Sequence, residues 1–168
     1  MMQRHVLNTL LIAGFALPVA AAAADKASPK SESQQVQRGR YLVKVTGCND
    51  CHTAGYAMNG GKIPESQWLM GDKLGWRGPW GTTYAINLRL YMRDMTEAKW
   101  VKTAKTMQTR PPMPWFALHD MTDQDLKAIY HYVKALGPAG EPAPVFVPPG
   151  KEPQGPYVQF PAPPQAKP

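Results

Sequence analysis

Three stretches of the chain repeat apolar residues at a helical period. Val36, Gly39 and Val43 share one face with Leu42 beside them, which predicts a helix over Gln34 to about Thr46, stopped by Gly47. Trp100, Ala104 and Met107 give an apolar face to a second helix that starts near Thr96, with Glu97 in its first turn. The third stretch, "MTDQDLKAIYHYVKALG", is the clearest. Thr122 is placed as N-cap, Asp123 and Asp125 lie in the first turn, and Gly137 with Pro138 end it. Its buried stripe is expected to be Leu126, Ile129, Tyr130, Val133 and Leu136.

Between the first two helices, from Thr53 to Asp94, no period is sustained. The segment is rich in Gly and aromatics, as in "GWRGPWGTTYAINLRLY". Irregular stretches of this length are uncommon in a compact domain unless something other than the chain fills the core. Three or more helices joined by long irregular loops make an all-α fold of one domain, residues 34–138.

The ends differ in character. Residues 1–24 open with Arg4 and His5, continue with an apolar run from Val6, and finish on Ala22-Ala23-Ala24 before Asp25, the order of a secretory signal peptide. The alternative is an uncleaved membrane anchor, which Asn8, Thr9, Gly14 and Pro18 weaken. Residues 25–33 are polar and expected to be a disordered lead-in. Residues 139–168 form an extended Pro-rich tail, wrapped over the domain or free; eleven prolines fall from Pro138 onward. No other segment is apolar enough to span a bilayer, so the mature chain is expected in the periplasm.

The full chain of 168 residues carries a formal charge of +7, and loss of Arg4 with the signal leaves +6. That charge could steer the protein toward acidic partners. The basic residues are scattered without a nucleic-acid motif. Lys99, Lys102 and Lys105 recur every three residues on the second helix, as a docking patch or a solvated face.

The two cysteines, Cys48 and Cys51, enclose Asn49-Asp50 and precede His52. "CNDCH" matches the signature for covalent attachment of c-type haem. Two thiols at this spacing can reach the two vinyl groups of one porphyrin, and the next residue is carried under the iron as its proximal ligand. A structural zinc site would want a second pair of ligands, a redox dithiol a strand-to-helix setting, and a simple disulfide would leave the aromatic middle unexplained.

From Val36 to Pro138 the chain resembles the class I c-type cytochromes, particularly bacterial ones that serve periplasmic dehydrogenases. The likeness rests on "RGRYLVKVTGCNDCHT", "TTYAINLRL", "MPWFAL" and "MTDQDLKAIYHYVKALGP". It implies a cytochrome c-like fold around one haem c, and a close crossing of the first and last helices at Gly39 and Tyr132. Met113, held between Pro111-Pro112 and Pro114, aligns with the family's axial methionine; His119 and His131 are the other candidates for that position. Met107 and Met121 are expected in the core and at a helix start, and Met58, Met70, Met92 and Met95 in packing. Arg77, Trp80, Tyr84 and Asn87 could line the crevice, with Arg77 neutralising a propionate. Many members place a proline soon after the haem histidine, whose carbonyl orients the ring. Here the first proline is Pro64, so the acceptor for the His52 ring N–H is unassigned.

The expected function is a single-electron carrier between periplasmic redox proteins, such as a dehydrogenase and a downstream oxidase or cytochrome of a respiratory chain. No nucleophile, base or substrate pocket is evident. Two alternatives stand beside it: a dedicated cytochrome subunit of a quinoprotein alcohol or aldehyde dehydrogenase, and a haem-based gas sensor or weak peroxidase.

Overall fold

A computed structural model describes residues 29–161; the signal expected at 1–24 and the start of the expected lead-in lie outside them. Helix α1 (Pro29–Val45) begins five residues ahead of Gln34, so it takes up part of the segment expected as lead-in. A short helix α2 (Cys48–His52) follows at once. The irregular middle contains two 3-10 turns, a hairpin of β1 (Gly75–Gly78) and β2 (Gly81–Tyr84), and a one-turn helix α3 (Leu88–Tyr91). Helix α4 (Glu97–Thr106), α5 (Trp115–Asp120) and α6 (Asp123–Leu136) complete the domain. Thr96 and Thr122 cap α4 and α6 as their sequences predict, accepting from the Lys99 and Asp125 amides. Among the described residues no helix is long and apolar enough to cross a membrane.

The first and last helices form the frame. They meet at Gly39, where a Cβ would fall 2.0 Å from the Ala128 carbonyl oxygen and 2.7 Å from Tyr132 Cβ. Only a glycine lets the two backbones approach so closely. Leu42, Val43, Trp100, Leu126, Ile129, Tyr132 and Val133 are buried together. On α6 the fully buried positions include Tyr132, whereas Tyr130 is half-buried and spends its hydroxyl on the Met95 carbonyl at 2.9 Å. The Trp100 indole N–H donates to the Leu126 carbonyl at 2.8 Å, which ties α4 to α6.

Two polar clusters lock this frame. Arg89 is buried and donates to the carbonyls of Ser66, Leu136 and Gly137, so one guanidinium closes the carboxyl end of α6. Glu65 accepts from Arg40 on α1 and, at 2.8 Å, from the Tyr132 hydroxyl on α6. Burial alone would raise the Glu65 carboxyl; the hydrogen bonds from Arg40 and Tyr132 outweigh it and hold the group below its usual range.

As far as Pro161, the last described residue, the Pro-rich tail is wrapped over the domain. Val147 bridges Thr82 on β2, and a third strand β3 (Tyr157–Gln159) pairs parallel with β1, giving the sheet order β2-β1-β3. Phe160 packs on Trp76 and Trp80 with ring centroids 6.1 and 5.3 Å apart. Arg77 pairs with Glu152 in the tail. The third strand of the small sheet comes from the returning tail.

Tyr132→Phe should lower the unfolding free energy of the haem-loaded protein at pH 7 by about 1–2 kcal/mol, read from urea titration. Because the native Glu65 carboxyl sits below 4.5, the stability it confers is complete above that pH and is lost as pH falls through its native value. The gap between wild type and Tyr132→Phe should therefore narrow in acid; a gap that stays constant down to pH 3 counts against the coupling.

Candidate functional site

Gly47 ends α1 with φ of 77°, a left-handed turn that redirects the chain into α2. One helical turn then places Cys48, Cys51 and His52 at i, i+3 and i+4, on a common face. All three line a cavity of about 970 Å³. The two cysteines are not joined to each other, and burial pushes each thiol up from its ordinary value.

His52 is buried, and its Nδ1 lies 2.7 Å from the Ile86 carbonyl oxygen. A carbonyl can only accept, so Nδ1 carries the proton and Nε2 keeps its lone pair for a ligand bond. Burial lowers the affinity of the ring for a second proton. The acceptor that the sequence left open is thus the residue before Asn87, in the "AINL" segment.

The approach of that segment depends on its neighbours. At Gly71, where φ is 81°, a Cβ would fall 2.8 Å from both the Ala85 carbonyl oxygen and the Asn87 nitrogen, and 3.0 Å from the Ile86 carbonyl carbon. The Gly71 amide donates to the His52 carbonyl at 2.8 Å, and the Asp72 amide to Ala85 at 3.0 Å. Two residues earlier Leu69, fully buried, holds φ of 62°, a strained value for a branched side chain. Its amide is bound by the Thr53 hydroxyl at 2.8 Å and its carbonyl accepts from Leu88 at 2.9 Å.

Met113 reaches the same cavity on an arm between α4 and α5. The base of the arm is closed by His119, whose Nε2 lies 3.0 Å from the Met107 carbonyl and whose ring stacks on Trp115, and by Lys105, which donates to the carbonyls of His119 and Met121. The outer end is held by the Thr83 hydroxyl, which donates to the Pro111 carbonyl at 2.7 Å. His119 therefore spends its Nε2 on the backbone, and His131 pairs with Glu97 at 2.7 Å away from the cavity. Lys105 is turned inward, which breaks the Lys99-Lys102-Lys105 stripe as a continuous surface patch.

The rest of the wall is largely apolar: Val43, Met92, Trp100, Ile129 and Val133 from the core, with Trp76, Tyr84, Ile86 and tail residues Ala143 to Phe146. Of the four crevice residues expected from the sequence, Tyr84 lines this cavity and the other three do not. Arg77 faces away from it, toward Glu152 and Tyr157. Trp80 folds over Gly78 and against Phe160. Asn87 caps α3 through Leu90 and donates to the Ala139 and Glu141 carbonyls. Sequence reasoning missed Gly71, Ile86 and Arg110, of which Ile86 and Arg110 line the cavity. Met92, Met107 and Met121 line it as well as Met113.

The site suits a haem on three grounds. Its volume lies at the upper end of the roughly 300–1,000 Å³ typical of cofactor pockets. Its walls are apolar, and its donors are two thiols, one imidazole nitrogen with a fixed tautomer, and thioethers. Among the described residues no group of three or more His, Cys, Asp or Glu is placed to hold a bare metal ion.

Comparison with known proteins agrees in kind. A family model described as "Cytochrome c" matches residues 36–137. The cytochrome c subunits of alcohol dehydrogenase (quinone) from Gluconacetobacter polyoxogenes and Komagataeibacter europaeus are each 29% identical over 147 residues, which cover 80% of this chain. The matched region is 28% of the length of those relatives. No solved structure matches.

Gly71→Ala meets both a left-handed backbone and contacts under 3 Å, and should cost about 2–4 kcal/mol in the haem-loaded protein by guanidinium titration. His119→Phe keeps a ring against Trp115 but loses the bond to Met107. It should cost about 1 kcal/mol and speed amide hydrogen exchange over residues 108–114, with the ferric ligand spectrum unchanged. A changed spectrum would restore His119 as a ligand candidate.

Proposed function

The chain belongs to the cytochrome c family, and from that premise we propose that it carries single electrons in the periplasm on one haem c, attached through Cys48 and Cys51 and ligated by His52 and Met113. It is an electron-transfer protein rather than an enzyme, in keeping with the family. The observation that carries the ligand reading is the convergence on one apolar cavity of the Cys-x-x-Cys-His turn and a Pro-framed methionine arm tethered at both ends.

A bound haem supplies a one-electron ferric/ferrous couple. The chain's residues set the terms of that couple. The thiols of Cys48 and Cys51 fix the cofactor's position by thioether bonds. His52 presents Nε2 because Ile86 holds Nδ1–H, and this hydrogen bond also raises the basicity of the ring as a ligand. Met113 offers a soft thioether, which favours the reduced state and raises the potential. Val43, Trp100, Ile129 and Val133 exclude water from the interior. Pro111, Pro112 and Pro114 reduce the entropy that the arm loses on closing, which matters for a weak bond.

The two relatives favour one extension. Both are cytochrome c subunits of alcohol dehydrogenase (quinone), so this chain is read as delivering electrons from a dehydrogenase of that broad kind, with a further oxidase or cytochrome as acceptor. Co-purification with a dehydrogenase at stoichiometric yield would make it a dedicated subunit, and isolation as a freely diffusing monomer would make it a shuttle.

The ligand assignment is tested by absorption spectroscopy of the purified ferric protein. Met113→Ala should abolish the long-wavelength band of Met–ferric haem, whereas Met107→Leu and Met121→Leu should keep it. A band that survives Met113→Ala sinks the assignment. Fast carbon monoxide binding by the ferrous wild type at neutral pH would favour a sensor or peroxidase instead.

A further inference from the structure

Six arginines lie among the described residues, and five have partners. Arg38 pairs with Asp125, Arg40 with Glu65, Arg77 with Glu152 and Arg93 with Asp94, while Arg89 is bound by three carbonyls. Among the described residues Arg110 has neither a carboxylate nor a carbonyl partner. Its guanidinium carbon sits 3.8 Å from the centroid of the Phe146 ring. Arg110 is solvent-exposed, yet it and Phe146 both line the cavity, so the charge stands at the mouth. Among the described residues no other Arg, Lys, Asp or Glu lines that wall.

The backbone brings other donors to the same corner. Thr83 is the cross-strand partner of Trp76, and its hydroxyl holds the carbonyl of Pro111, the residue after Arg110. Tyr84 follows Thr83. Trp76 and Tyr84 line the cavity, and among the described residues neither the indole N–H nor the phenol has a hydrogen-bond partner. From the tail side Val147, next to Phe146, pairs with Thr82. Hairpin, methionine arm and tail thus converge where Arg110 sits.

A haem brings two carboxylates into an otherwise apolar pocket. An ionised carboxylate left against apolar surface is costly unless it keeps water or gains a cation. A guanidinium at the mouth supplies the cation, since it pairs bidentately and remains charged at every working pH. We propose that Arg110, and not Arg77, is the counter-charge for a haem carboxylate in this protein, seated on Phe146 and placed on the same arm as Met113. This rests on the haem reading given above. It also means that the arm contributes a charge as well as a ligand. An interaction between Arg110 and the carboxylate would stabilise the arm's closed position.

The sign of the effect on the couple follows. An ionised carboxylate favours the ferric state, and the guanidinium offsets it. It also keeps the carboxylate ionised across the neutral range, so the wild-type midpoint potential should be nearly flat between pH 5 and pH 8. Without Arg110 the carboxylate's charge is unscreened and its pKa rises. The potential of Arg110→Gln should then lie below wild type at pH 8 and climb toward it as acid protonates the carboxylate. At pH 8 we expect about a threefold to tenfold loss in the ferrous-to-ferric ratio at fixed potential, roughly 30–59 mV for one electron.

The experiment is spectroelectrochemical titration of haem-loaded wild type, Arg110→Gln, Arg110→Lys and Arg77→Gln from pH 5 to pH 8, with the Met–ferric band recorded for each. Support is a pH-dependent fall confined to Arg110→Gln, with Arg110→Lys returned toward wild type and Arg77→Gln unchanged. An Arg110→Gln profile matching wild type, or the same fall in Arg77→Gln, overturns the assignment. Should Arg110→Gln lose the Met band, Arg110→Lys decides the matter. With the band retained, a flat profile supports the pairing and a Gln-like profile overturns it. Denatured wild type that releases its haem defeats the haem reading and this assignment together, whereas an unaltered profile in a haem-bearing protein defeats this assignment alone.

Discussion

The hydrogen bond from His52 Nδ1 to the Ile86 carbonyl is the constraint on which the site is built. It selects the tautomer, leaves Nε2 for a ligand bond and fixes the plane of the ring. It requires a strand-like segment, Ala85 to Asn87, to run against the end of α2, and that approach leaves no room for a Cβ at position 71. The left-handed Leu69 is a second consequence. Its strain is held by the Thr53 hydroxyl, one residue past His52, and by the start of α3. Asn87 continues the chain of dependence, capping α3 while binding the carbonyls that follow α6. A short stretch of backbone therefore joins the histidine turn, the middle loops and the last helix.

The size of the cavity explains why these constraints are needed. Protein interiors are close-packed, and a void costs about 24 cal/mol per Å³ where the walls do not collapse. The site offers about 970 Å³ behind an open mouth, and its apolar walls are stabilised when an apolar group takes the place of water there. Val43, Met92, Trp100, Ile129 and Val133 belong at once to the core and to the cavity lining, so a haem there is the missing centre of the core. The irregular stretch between Thr53 and Asp94 contributes Trp76, Tyr84, Ile86 and Met92 to the same wall and needs no separate core of its own.

What could be read in the sequence follows the range of the forces involved. The helix α6 was legible because its cap, its acidic first turn and its stripe are local signals, and the haem turn because its chemistry lies within five residues. The Met113 arm was legible from three prolines and a resemblance, although three other methionines share its cavity. The crevice was less legible. Trp76 and Arg77 are neighbours on β1 and point to opposite faces, so choosing Arg77 over a residue from another element needed the strand register. Arg110 lies 33 positions further on, and it is set at the cavity by contacts distant in sequence, Thr83 on Pro111 and Phe146 under the guanidinium. The acceptor for His52 was hidden because a backbone carbonyl leaves no trace in residue type. The early start of α1 came from residues whose polarity gave no apolar stripe to extend.

The composition of the tail suits a wall better than it suits a linker. A segment laid over an apolar cavity must bring few unpaired donors, because a buried N–H without a partner costs free energy. Proline has no N–H and holds the extended conformation that such a segment needs. Here Ala143 to Phe146 cover the cavity, and the amide of Val147, the next residue, is bound by the Thr82 carbonyl at 3.0 Å. Further on, the Pro156 carbonyl accepts from Gly75 and the Phe160 amide donates to Arg77, so the tail also covers the free edge of β1. Arg110 on Phe146 then fastens the arm to this wall. Removing the tail would uncover a sheet edge, an apolar wall and one support of the methionine arm together, and for that reason the domain extends beyond the end of α6.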